Sequence, residues 1–226
     1  MKILLLLLIS VKAFSTTSLD IRKNISPRLV GDTLYIQGNI DSHIYDYLAY
    51  ETRPFKTVSL YSYGGNHNWA LEIGRKLQEL RVNTVIEDGA FCASACVYLF
   101  GSGSERIMHE GAWIGIHGAR LHGGYVVEFS NNCVDFISAS EGVFNKSKVG
   151  CSDFLSRWYE TSLEATEKAF TLIEKAGVST TLKNYYFSLE DDPHWYSELN
   201  VLKKRDLVLD ANTALKFNLT TSVQTI

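Results

Sequence analysis

A serine between two small residues is the strongest candidate for chemistry in this sequence. Ser94 lies between Ala93 and Ala95, directly before an apolar run that predicts a short helix. A hydroxyl at a helix start lies near free N–H groups that favour developing negative charge, and small neighbours leave room for a substrate. Ser94 is therefore predicted to be a nucleophile. The competing interpretation is a serine that only caps the helix, which is a common role for this residue type.

Two other segments have residue types that would assist such a nucleophile. His117 ends an apolar run, and a histidine can exchange protons near neutral pH as a general base. Gly64 and Gly65 follow a β-rich run, where glycines let the backbone turn sharply and bring an N–H close to a ligand, as in an oxyanion hole. The remaining histidines lie in polar surroundings and are predicted to be surface residues: His43, His67, His109, His122 and His194.

The elements that must position these residues alternate between strands and helices. The predicted strands are residues 34–40, 57–62, 84–87, 113–117 and 207–209, and the predicted helices are 42–52, a segment from Trp69 to 81, 95–100, 152–177 and 211–217. Residues 120–150 show only a hairpin signal at Gly123 and Gly124. Strands alternating with helices predict an α/β fold with a mainly parallel sheet and βαβ crossovers.

Composition and charge narrow the possible functions. The chain has 226 residues, of which 46% are hydrophobic and 12% aromatic, as in an ordinary globular protein with one domain. The net charge is −3, and the basic residues are scattered rather than gathered in a stripe that could follow a nucleic-acid backbone. We therefore expect no nucleic-acid partner. No residue pattern predicts a metal or a cofactor.

The N-terminus has the pattern of a secretory signal. Lys2 precedes a short apolar run from Ile3 to Ile9, and small and polar residues follow. The run is too short to span about 30 Å of hydrocarbon comfortably. We expect residues 1–18 to be a signal peptide, residues 19–226 to form the domain, and the mature protein to be periplasmic or secreted. An uncleaved membrane anchor is the alternative.

Four cysteines in an exported chain permit disulfides, because the compartment is oxidising. Of the three possible connectivities, we predict Cys92 with Cys96 and Cys133 with Cys151. Cysteines four residues apart on a regular helix lie near the upper end of the Cα separation that a disulfide tolerates, so the first bridge requires an irregular turn at Ser94. Free thiols on small buried residues are the alternative.

The order of these segments resembles that in the proteolytic subunit of Clp proteases, within the Clp-protease/crotonase superfamily. That family has Ser-Pro-Gly-Gly, then Ala-Ser-Met in an apolar helix, then Met-Ile-His, and the matching segments here are residues 62–65, 93–95 and 114–117. The sequence resembles even more strongly the uncharacterised exported bacterial proteins of the superfamily, in which Cys-x-Ser-Ala-Cys recurs. The resemblance covers residues 29–120 and a short segment from Arg205 to Leu219. It implies a ClpP/crotonase-like fold.

The resemblance also implies roles for individual residues. Asp206 would orient His117 and stabilise its imidazolium, which completes a Ser-His-Asp triad. The N–H groups of Gly64 and Ala95, with Gly65 beside them, would form the oxyanion hole. Three other carboxylates downstream of the histidine remain alternatives to Asp206: Asp153, Asp191 and Asp192.

The activity expected on this basis is an exported serine hydrolase, a peptidase that forms an acyl-enzyme on a peptide or protein substrate, with a homo-oligomer possible. The first alternative is a serine-lysine peptidase, for which Lys146, Lys148 and Lys168 are available. The second is a binding or interaction module that has kept the fold and lost the activity. A crotonase-type enzyme acting on acyl-CoA is the third, and an exported protein meets little CoA.

Overall fold

The structure is a computed structural model, and it describes residues 25–117, 151–190 and 207–225. The strands are β1 (Arg28–Val30), β2 (Thr33–Ile40), β3 (Thr57–Gly65), β4 (Asn83–Ile86), β5 (Phe91–Ala93), β6 (Arg106–His109), β7 (Trp113–Ile116), β8 (Leu207–Asp210) and β9 (Ser222–Gln224). The helices are α1 (Ser42–Tyr50), α2 (His67–Leu80), α3 (Ala95–Gly101), α4 (Cys151–Lys175), α5 (Thr180–Glu190) and α6 (Ala211–Lys216).

The sheet divides into two branches along strand β3. One edge of β3 pairs with β2 over most of its length. The first half of the other edge pairs with β4, through residues 57–59, and its second half pairs with β5, at Ser62. One branch continues from β4 to β6 and β9, and the other continues from β5 to β7 and β8. The second branch is the one that carries the candidate catalytic residues.

Most of the strand pairs are parallel, and the exceptions lie at the edges. The β1–β2 hairpin and the β7–β8 pair are antiparallel, while β3 runs parallel to each of its neighbours. The predicted α/β class with a mainly parallel sheet and helical crossovers is confirmed. The buried apolar residues of the protein form one core cluster, with members from all three described ranges.

Residue patterns explain the longer elements. Strand β2 alternates between buried and half-buried positions, as expected for a strand with one face on the core. Helix α2 buries Ile73 and Leu77 on one face, begins where Asn66 Oδ1 accepts the Trp69 N–H at 3.1 Å, and ends at Arg81 in the left-handed region. Within the described ranges, no helix combines the length and apolarity needed to cross a membrane.

A buried arginine joins the ends of several elements. Arg106 begins β6 and is only 2% exposed. Its guanidinium donates four hydrogen bonds to backbone carbonyls, those of Gly103 (3.0 Å), Ala176 (2.8 Å), Asn218 (3.1 Å) and Leu219 (3.1 Å). These carbonyls follow the C-termini of α3, α4 and α6, where the helices leave acceptors unpaired. Arg106 therefore connects three helix ends to the sheet.

Candidate active site

Three parallel strands end at the same edge of the sheet, and predicted site residues lie at the end of each strand or directly after it. Strands β3, β5 and β7 are neighbours in that order, with Ser62 opposite Cys92 and Ala93 opposite Gly115. Gly64 and Gly65 end β3, Ser94 follows β5, and His117 follows β7. The carboxyl ends of parallel strands are the usual place for a site in an α/β protein. The structure thus brings the backbone segments that carry these residues together.

Ser94 lies in a sharp turn between β5 and α3. Its backbone angles are φ 55° and ψ −127°, a sparsely populated region for a residue with a side chain, which costs on the order of 1–3 kcal/mol. The Ser94 N–H donates to Gly115 O on β7 at 2.8 Å, and the Ser94 carbonyl accepts the Val97 N–H at 2.9 Å. The Ser94 side chain makes no capping hydrogen bond. Ser94 therefore occupies the N-cap position of α3 without the side-chain hydrogen bond that a capping serine makes.

A disulfide encloses this turn. Cys92 and Cys96 are bonded, with their Cα atoms 5.3 Å apart, and both residues are fully buried. The predicted first bridge is confirmed, and so is the irregular turn at Ser94 that it requires. The free-thiol alternative is wrong for this pair. The predicted Cys133–Cys151 bridge stays a prediction, because Cys133 and the Cys151 side chain lie outside what the structure describes.

Gly64 packs directly against the turn that carries Ser94. A Cβ atom added at Gly64 would lie 2.6 Å from Ser94 Cβ and 2.8 Å from the Ala93 carbonyl oxygen. It would also lie 3.0 Å from the Ala95 nitrogen. Gly64 has φ +104°, which side chains rarely adopt. Only glycine therefore fits at this position without moving the serine.

The Ser62 hydroxyl bridges strands β2 and β3 at the point where their pairing register shifts. It accepts the Gly64 N–H at 2.9 Å and donates to the Gly38 carbonyl at 2.5 Å. The register shift falls between Gln37 and Asn39, on either side of Gly38. The Gly64 N–H, predicted as an oxyanion donor, is thus bonded to Ser62 in this structure. Sequence reasoning gave Ser62 no role, because only the bulge on the neighbouring strand creates its function.

His117 is half-buried at the end of β7. The residue before it, Ile116, pairs with Leu207, the first residue of the antiparallel strand β8. Asp206 precedes Leu207 in the sequence and lies outside the described residues, as do Asp191 and Asp192. The structure thus places β8 beside the strand that carries the histidine. The partner carboxylate stays a prediction.

Two of the histidines predicted to be surface residues are partly enclosed. The His67 ring meets the edge of Tyr98, with ring centroids 5.5 Å apart, and its Nε2 is inaccessible and without a hydrogen-bond partner. Burial lowers the pKa of His67; a hydrogen bond that the imidazole donates to the Ala165 backbone offsets part of this, and the charge of Lys168 lowers the pKa further. The Nδ1 of His109 is likewise inaccessible. The neighbours of these histidines in the sequence are polar, so the sequence did not indicate that other elements would enclose their side chains.

The remaining candidates give no second site within the described ranges. Lys168 pairs with Glu164 at 2.6 Å on α4, and both side chains are largely exposed. Lys146 and Lys148 lie outside the described residues. In the part of the chain that the structure covers, no three histidine, cysteine or carboxylate side chains are grouped as metal ligands would be.

No family model matches this sequence, and no curated protein matches it. Among solved structures, the chain is similar to an amino-acid-substituted ClpP1 from Listeria monocytogenes. The two share 15% sequence identity with a TM-score of 0.40, and the alignment covers 86% of this chain and 92% of that chain. The similarity thus extends over most of both chains and is distant in sequence.

Proposed function

We propose that this protein is a serine hydrolase that cleaves peptide bonds through an acyl-enzyme on Ser94. The observation that carries the proposal is the backbone of Ser94, held at φ 55° between a parallel strand and a helix. Such conformations persist only where the surroundings enforce them, and they concentrate at functional sites. A serine in a strained turn between a strand and a helix is also the arrangement that exposes the nucleophile in other hydrolases.

His117 is the proposed general base. Ser94 donates its backbone N–H to Gly115, two residues before His117 on the same strand, so the two catalytic segments are fixed to each other. As Oγ attacks the carbonyl carbon, His117 accepts the hydroxyl proton, and it returns that proton to the leaving amine when the C–N bond breaks. His117 then deprotonates a water molecule, which attacks the acyl ester and releases the serine.

Two backbone N–H groups are proposed to bind the oxyanion. The Asn66 N–H donates to Ile40 O on β2, and the Gly64 N–H is used on the same side of β3. Because N–H groups alternate between the two edges of a strand, we expect the Gly65 N–H to face the β5 edge. Ala95 is the first residue of α3, so its N–H has no acceptor within the helix. Gly65 and Ala95 are therefore the proposed donors, in place of Gly64.

Asp206 is the proposed carboxylate of the triad. It precedes Leu207, which pairs with Ile116 next to His117, and consecutive Cα atoms are about 3.8 Å apart. Export to the periplasm or medium through residues 1–18 is also part of the proposal. The Cys92–Cys96 disulfide supports it, since such bonds persist in oxidising compartments. The peptide substrate and a homo-oligomeric assembly rest on the sequence resemblance.

Hydrolysis by the purified mature protein tests the proposal. Unfolded protein substrates and small activated esters are both offered, because an ester needs only the nucleophile and its base. We expect Ser94→Ala and His117→Gln to abolish turnover, while Ser104→Ala, at an exposed serine nearby in the sequence, keeps it. Activity that survives His117→Gln and is lost in Lys168→Met would favour the serine-lysine alternative. Absence of any turnover in the wild type would favour the binding module.

A further inference from the structure

The disulfide next to Ser94 is placed where it can control the geometry of the nucleophile. Cys92 lies in β5, two residues before Ser94, and Cys96 lies in α3, two residues after it. The bond therefore joins the last part of the strand to the first turn of the helix across the serine. Because Ser94 is held at positive φ, anything that lets α3 move relative to β5 also lets the serine relax.

Two other contacts also limit movement of the turn. The hydrogen bond from Ser94 N–H to Gly115 O holds the strand side, and Gly64 packs against Ala93, Ser94 and Ala95 without a covalent bond to any of them. The helix side begins at Ala95, whose N–H is proposed to bind the oxyanion. A covalent link from Cys92 to Cys96 sets the distance between the two sides.

A role in global stability explains this bond less well. A bridge stabilises a protein mainly by restricting the unfolded chain, and the effect decreases as the closed loop becomes shorter. Here the cysteines are four residues apart. Both are 0% exposed, so reductants reach the bond only when the site opens. The bond thus constrains the turn in the folded protein and does not act as a redox switch.

We infer that the Cys92–Cys96 disulfide is a positioning element that keeps the Ser94 hydroxyl and the Ala95 N–H in their reactive arrangement. The inference rests on the proposed function of Ser94. Breaking the bond lowers the reactivity of Ser94 in a protein that remains folded. It leaves the pH profile of that reactivity unchanged, because His117 is untouched.

The experiment compares the rate at which a fluorophosphonate labels the wild type and the Cys92→Ala/Cys96→Ala variant. Ile86→Val is the matched control, since Ile86 is fully buried at the end of β4 and its truncation disturbs the core away from the turn. We expect the double variant to label at least about tenfold more slowly at saturating probe, with unchanged circular dichroism and the same apparent pKa of labelling. The control is expected to label at the wild-type rate.

The possible results separate the inference from the proposed function. Equal labelling rates in the wild type and the folded double variant would overturn the inference and leave the proposed function standing. No labelling of the wild type at Ser94 would overturn both. If the double variant does not fold, the wild type is treated with a water-soluble phosphine, which reacts with the disulfide and one water molecule to give the phosphine oxide and two thiols. Mass spectrometry of alkylated thiols then identifies the reduced pair, and unchanged labelling with Cys92 and Cys96 reduced would contradict the inference.

Discussion

Replacement of Arg106 by methionine is expected to destabilise the protein more than the same replacement of an exposed arginine. The side chain is 2% exposed and donates to four carbonyls, which methionine cannot do. Burial lowers the pKa of the Arg106 guanidinium, because the charged form loses its hydration, and the four hydrogen bonds offset that loss. Arg106→Met removes the donors and leaves two buried acceptors, the carbonyls of Gly103 and Leu219, without them.

The expected magnitude follows from the number of acceptors. A buried polar group left unpaired costs about 1–3 kcal/mol, and removal of the charge returns part of its desolvation cost. Counting about 2 kcal/mol for each of the two buried carbonyls, the free energy of unfolding falls by about 4 kcal/mol. In a protein of this size that corresponds to a decrease in Tm of about 8 to 16 °C.

Thermal unfolding followed by circular dichroism measures this change against a matched control. Arg75→Met removes an exposed arginine that pairs with Glu72 on the surface of α2, so its expected cost is below about 1 kcal/mol. Arg106→Lys keeps the charge and up to three donors, and its Tm is expected to lie between those of the wild type and Arg106→Met. An Arg106→Met protein no less stable than Arg75→Met would refute the role given to the buried guanidinium.

The remaining predictions concern Gly64 and His67. Gly64→Ala is expected to lower turnover about 100-fold, because the new Cβ displaces the Ser94 turn and small misplacements of a catalytic group cost that much. Gly31 also has a positive φ, but a Cβ added there would have no atom within 4 Å, so Gly31→Ala should keep the wild-type turnover. Equal losses in the two variants would contradict the packing argument. Burial lowers the pKa of His67 below its ordinary value near 6.5, so the unfolded chain binds more protons below that pH and stability decreases on acidification. Tm should therefore fall more between about pH 7.5 and pH 5.5 in the wild type than in His67→Gln, and parallel curves would show that His67 does not contribute.

The longer elements could be predicted from the sequence because their patterns are local. Strand β2 alternates over eight residues, and helix α2 repeats its apolar face over 14. The short strands β4, β7 and β8 were predicted from apolar runs, whereas β1, β5, β6 and β9 were not, since three or four residues are too few to show a period. Strand β5 exists because β3 and β7 pair with it on either side. The β1–β2 hairpin did have a signal in the sequence, the pair Gly31-Asp32 at its turn, where Gly31 adopts φ +61°.

The candidate site was predictable to the extent that its residues carry their own chemistry. The types and order of Ser94, His117 and the glycine pair indicated a hydrolase, and the four-residue spacing of the cysteines required an irregular turn. The contact of Gly64 with Ser94 and the four acceptors of Arg106 depend on segments far apart in the sequence. No local pattern contains that information.

The most direct test of Ser94 as nucleophile is to map the site of covalent modification. The mature protein is incubated with a fluorophosphonate, digested, and analysed by tandem mass spectrometry. We predict a single adduct on the peptide that contains Ser94, lost in Ser94→Ala and strongly slowed in His117→Gln. A fully folded wild type that gains no adduct, or an adduct that persists in Ser94→Ala, would contradict the proposal that this turn holds an activated serine.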